Sequence, residues 1–194
     1  MSWDINFFHA VNGLAGRSAL ADSAMLLLTP PDNLVIPLAL VFGEWVWHNR
    51  REAFLGATAL AVLVVFGDFL GAQLKHLVGR VRPCDSLEGV NLLVGCGGTG
   101  SFPSNHALNA AAAAAFAQLL YPTTGWVTWP VVALIGFSRV YVGAHYFTDV
   151  IGGWVIGGFM GAGGALLLLQ WRGFRAGSNE AVKQAPEQAK TEES

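Results

Sequence analysis

Hydrophobic and polar positions divide the chain into long apolar runs separated by short polar breaks. The first residues carry Trp3, Phe7, Phe8, Val11 and Leu14 at helical spacing, which predicts a short helix lying at a membrane surface. Ala24–Trp47 is apolar but interrupted by Thr29-Pro30-Pro31-Asp32, so it reads as one kinked span or as a short helix followed by a span. Ala53–Leu74 is a second span, closed by Lys75. A polar, Gly-rich loop covers Gly79–Phe102. Ser104–Leu120 contains an alanine tract and forms the third span. After the turn Tyr121–Gly125 come a fourth at Trp126–Val142 and a glycine-rich fifth at Phe147–Trp171. The expectation is an all-α polytopic membrane bundle with about five spans and an N-terminal interfacial helix.

Composition supports that reading: 53% of residues are hydrophobic and only 12% charged in a chain of 194. Residues 1–175 are expected to form one domain. The polar stretch 176–194, rich in Glu, Gln and Ala, lacks large apolar residues and is expected to be an unstructured tail. Net charge is −2 with no clustered basic excess, so no nucleic-acid partner is indicated. The sequence does not speak to oligomeric state. No cleavable signal peptide is expected, because Asp4 stands where a basic leader would be. Ala110–Ala115 and the pairs Gly152-Gly153 and Gly157-Gly158, with Gly161, read as close helix packing.

Orientation follows less simply. Arg50-Arg51 and Arg172/Arg175 fall on one side and suit the cytoplasm, but the opposite side is basic too. Cys84 and Cys96 stand on that opposite side with eleven residues between them. They suit a disulfide, hence an oxidising compartment and a C-terminal tail in the cytoplasm. Two free thiols or a partial metal site are the alternatives.

The chemistry gathers at this same boundary. Lys75 and Arg82-Pro83 follow the second span, Ser104-Asn105-His106 open the third, Ser138-Arg139 end the fourth, and His145 and Asp149 open the fifth. Taken singly, each cation reads as an interfacial anchor and each histidine or acid as an ordinary helix-end group. Together, three cations and a serine at a helix start match the needs of a phosphate dianion. His145 and Asp149 are four apart, so the carboxylate can hold one ring nitrogen and leave the other as nucleophile. His106 remains as a proton donor. Asp68 lies on nearly the same helix face as Lys75, either lining the pocket or making a packing contact; Gln73 has no clearer reading.

These three groups, Lys75-(six)-Arg82-Pro83, Pro103-Ser104-Asn105-His106 and Ser138-Arg139-(five)-His145-(three)-Asp149, resemble the three-part signature of the type 2 phosphatidic acid phosphatase superfamily. The resemblance spans Asp22 to Trp171. It implies His145 as nucleophile, Asp149 as its orienting partner and His106 as general acid. Lys75, Arg82, Ser104, Asn105 and Arg139 would hold the phosphate, with no metal or other cofactor. Asn105 stands where the family usually has glycine and could add a side-chain donor to the pocket edge. The substrate implied is a lipid phosphate or diphosphate drawn from the bilayer, most like the undecaprenyl diphosphate of cell-wall carrier recycling in an inner membrane. Phosphatidylglycerophosphate, phosphatidic acid and lipid A phosphates are the alternatives. A vanadate-holding haloperoxidase and a non-catalytic phospholipid-binding or transport protein are the other classes.

Overall fold

The computed structural model describes residues 2–29, 50–98 and 100–192. Its elements are α1 (Ser2–Asn12), α2 (Ala19–Leu27), α3 (Arg50–Val78), the short α4 (Pro83–Ser86), α5 (Asn105–Leu120), a 3-10 turn (Pro122–Thr124), α6 (Gly125–Tyr141) and α7 (Phe147–Glu192). No strand occurs among the described residues. The break expected at Thr29 is where α2 ends; the rest of the first expected span lies outside the described residues.

Helix α5 is the axis of the bundle because its side chains are small. Ala107, Ala111 and Ala112 are fully buried against α7, whose Gly153, Gly157 and Gly161 recur every fourth residue and face α5. A Cβ at Gly153 would sit 2.7 Å from the Ser104 carbonyl oxygen. At Gly157 and Gly161 it would collide with the Leu108 and Ala112 carbonyls. Backbone-to-backbone contact of this kind is how helices associate where no hydrophobic effect separates them from lipid. The packing expectation thus holds for these three glycines, whereas Gly158 faces open space and Gly152 meets the Phe102 ring.

Two stretches, Phe54–Ser86 and Phe147–Gly173, have the length and mean hydropathy (2.0 and 1.6) of membrane crossings. Phe54, Val62, Val65, Phe66 and Phe69 on α3, and Val155, Phe159 and Leu167 on α7, are exposed, which suits a lipid-facing surface. Helices α5 and α6 match the third and fourth expected spans, at 16 and 17 residues. A free-standing crossing needs about 20.

Helix α1 is present and amphipathic, but its inner stripe enters the bundle. Asp4, Phe8 and Asn12, four residues apart, are buried, while Trp3 and Phe7 face out. Asn12 donates to the Asn91 and Tyr141 carbonyls at 2.8 Å each, tying the helix to the long loop and to the end of α6. The backbone of α7 is helical through Glu192.

Candidate active site

Four chain reversals bring the polar residues to one end of the bundle. Helix α3 stops at Gly79, whose φ of +60° lets its N–H turn back to the Lys75 carbonyl at 3.0 Å. Pro83 opens α4 directly after Arg82. Ser104 caps α5 from an extended backbone without a side-chain cap bond. After α6, Gly143 (φ +85°) reverses the chain, and the N–H groups of Ala144 and His145 both donate to the Arg139 carbonyl, at 3.1 and 3.2 Å.

Lys75, Arg82, Ser104, Arg139, His145 and Asp149 are all buried here. The His145 Nδ1 lies 3.6 Å from Asp149 Oδ2, in ion-pair range but long for a hydrogen bond. Its Nε2 faces Arg82 Nη1 at 3.4 Å. A carboxylate only accepts, so the ring proton belongs on Nδ1 and the lone pair of Nε2 points to the cationic side. Burial, and then the Arg82 and Arg139 charges, push the His145 imidazolium down to about pKa 4 against the opposing pull of Asp149. The ring is therefore neutral near pH 7.

Behind the ring every acceptor is engaged. Asp149 Oδ2 accepts from the Tyr146 N–H at 2.9 Å and from the Ser101 hydroxyl. Its Oδ1 accepts from Arg80 Nη1 at 2.6 Å. Arg80 also donates to Thr148 Oγ1 at 2.6 Å and to Asp4 Oδ2 at 2.8 Å, with its guanidinium 4.1 Å from the Tyr146 ring centroid. Asp4 in turn accepts from the Thr148 N–H and hydroxyl. Arg80, Asp4, Ser101 and Thr148 are functional neighbours that sequence reasoning missed. The available signal was Asp4, an acid placed in the buried stripe of α1 beside Phe8 and Asn12.

Elsewhere at this end of the bundle the pattern inverts. The Ser104 hydroxyl and two donors of Arg139, Nε and Nη1, are buried with no hydrogen-bond partner among the described residues. Buried donors of this kind are unfavourable unless a ligand completes them. Lys75 Nζ donates to the Pro103 carbonyl at 2.6 Å and to Asn105 Oδ1, leaving one of its three donors. Arg82 donates to the Ala144 carbonyl at 3.1 Å. His106, on the first turn of α5, bonds the backbone of Thr29 and lies within the fields of Arg139 and His145. The Asn105 amide spans Lys75 and Asp68.

Cys84 and Cys96 form a disulfide, with Cα atoms 6.1 Å apart. It closes the loop over Arg82: a Cβ on Gly97 would lie 3.1 Å from Arg82 Nη2.

Residues 53–174 match the PAP2 superfamily. The chain is 31% identical to a lipid A 4'-phosphatase of Porphyromonas gingivalis, over 80% of this chain and 69% of that protein. It is 33% identical to an undecaprenyl-diphosphatase of Sulfolobus acidocaldarius, over 66% of each chain. Its fold resembles a solved transmembrane PAP2-type phosphatidylglycerolphosphate phosphatase of Bacillus subtilis, with a TM-score of 0.64, 24% identity, and 88% and 85% of the two chains covered.

Proposed function

This chain belongs to the PAP2 superfamily, and we propose that it is a membrane phosphatase that removes phosphate from a lipid through a phosphohistidine at His145. The observation that carries this reading is the set of unpartnered buried donors of Arg139 and Ser104 at the same end of the bundle as His145, whose Nε2 faces Arg82. A phosphoryl group there would complete them. Arg82 and the remaining Lys75 donor would take further oxygens.

The neutral Nε2 attacks phosphorus as the ester or anhydride oxygen leaves with the bonding electron pair, and His106 supplies its proton. Asp149 stabilises the charge that develops on the ring. Water then attacks the phosphohistidine, giving its proton to His106 as inorganic phosphate leaves and Nε2 recovers its lone pair. Five membrane crossings, the site at the outer face of an inner membrane and the C-terminal end in the cytoplasm fit the disulfide, which persists in an oxidising compartment.

Among substrates, undecaprenyl diphosphate is the first choice, supported by the similar undecaprenyl-diphosphatase. The similarity to a lipid A 4'-phosphatase favours a second reading, a lipid A phosphate. Phosphate release by detergent-purified protein, with EDTA present, tests the proposal on undecaprenyl diphosphate, lipid A, phosphatidylglycerophosphate and phosphatidic acid. The expected result is release from at least one lipid that is lost in His145→Ala, with the rank of rates naming the substrate. Release that persists in His145→Ala, or none from any lipid, would overturn it.

A further inference from the structure

Asn105 and Asp68 form a polar chain on the flank of the site, where α3 and α5 face each other. Asn105 accepts from the Lys75 ammonium through Oδ1 and donates through Nδ2 to Asp68 Oδ1 at 3.2 Å. The same carboxylate oxygen accepts from Asn109 Nδ2 at 2.8 Å. An ammonium only donates and a carboxylate only accepts, so the amide has a single orientation that satisfies both neighbours. The opposite helix makes room for it: a Cβ on Gly71 would lie 3.0 Å from Asn105 Cγ. Asp68 itself is exposed on a membrane-crossing segment, where a carboxylate is unfavourable without a role.

We propose that Asn105 and Asp68 are positioning residues that hold the Lys75 ammonium so that its remaining N–H points at the phosphate. The proposal rests on the reading of Lys75 as a phosphate ligand. Lys75 ends a flexible side chain with many rotamers. The Pro103 carbonyl alone would leave the ammonium free to turn about one bond. A second acceptor fixes the direction of the third donor, and Asp68 keeps that acceptor oriented and polarised. The chain has then not merely tolerated a side chain at the usual glycine position. It has coupled that side chain to the cation one helix away, and the coupling should act on substrate affinity more than on the chemical step.

The test compares Asn105→Ala, Asn105→Gly, Asp68→Leu and Asp68→Asn, each alone and in a Lys75→Ala background, on the lipid phosphate hydrolysed fastest in the panel above. Losing a charge-assisted hydrogen bond predicts a KM rise of about tenfold for Asn105→Ala, Asn105→Gly and Asp68→Leu. Change in kcat should be smaller, about threefold or less. Asp68→Asn keeps an acceptor for the amide and should recover most of the affinity that Asp68→Leu loses. In the Lys75→Ala background none should raise KM further, because all act through that ammonium. A KM unchanged by Lys75→Ala would remove the phosphate role of Lys75 itself. If Lys75→Ala raises KM but the Asn105 and Asp68 variants do not, or if their effects add fully in its background, the positioning role is refuted while the phosphate site stands. Asn105→Gly removes bulk from the helix contact, so it reports on the relay even if another variant folds poorly.

Discussion

Two polar groups at the His145 end of the bundle are oppositely finished. In the rear group, Asp149, Arg80, Asp4 and Thr148 close on one another, and both Asp149 oxygens have partners. In the front group, Arg139 and Ser104 hold donors that nothing in the described protein accepts. The rear network comes from α1, the segment after α3 and the start of α7, whereas the front comes from the ends of α3, α5 and α6. A saturated network stabilises the fold and fixes geometry. An unsaturated one stores unfavourable desolvation that a ligand can relieve. What separates the two groups is how far their hydrogen bonding is completed, with His145 Nδ1, 3.6 Å from Asp149, a loose contact on the rear side.

The sharpest way to break this contrast is to measure rate and stability together. Arg139→Leu should lower kcat by about 100- to 1000-fold, as for loss of one donor to a transition-state oxyanion. Its melting temperature should hold or rise, because an unpaired buried charge is removed. A large fall in melting temperature would show that Arg139 is structural. Arg80→Ala should do the reverse in stability. It strands Asp4 and Asp149 without their shared cation and should destabilise by about 3 kcal/mol, seen as a lower thermal midpoint in detergent. An unchanged midpoint would mean that the rear network is not the scaffold described here.

Reducing the Cys84–Cys96 disulfide sharpens the front side. The loop it closes rests on Arg82, so KM should rise a few-fold and kcat should change less. Equal kinetics in oxidised and reduced protein would detach the loop from the site. The smallest effect concerns protons. The folded-state pKa of His145, about 4, lies below its ordinary 6.5, so the unfolded chain binds the extra proton between those values. Stability should therefore be complete above about pH 6.5 and decline as pH falls toward 4. The ring should stay neutral across that window, and an imidazole NMR titration of the free protein with a midpoint near 6.5 would contradict this.

Much of this was legible from spacing. The expected spans Ser104–Leu120 and Trp126–Val142 lie within a residue of α5 and α6, because Pro103 and the turn before Gly125 punctuate the apolar pattern. In the site, the four-residue spacing of His145 and Asp149 was readable as a pair, although His145 sits in the turn before α7 begins at Phe147 and not on the helix itself. The partnership of Arg80 with Asp4 joins residues 76 apart, and no local period encodes a choice made by tertiary packing. Asn105 was expected at the pocket edge. Which way its amide turns depends on Asp68 and Gly71 of another helix, which no motif contains.

The central claim, that the unsatisfied side receives phosphorus and His145 Nε2 attacks it, is most directly tested by trapping the intermediate. Purified protein would be mixed with lipid substrate carrying a labelled phosphate, quenched in alkali within a turnover and digested for mass spectrometry. The expected result is an acid-labile, alkali-stable phosphate on the peptide containing His145, absent in His145→Ala. A label on His106 or another residue, or turnover without any phosphorylated peptide, would contradict it.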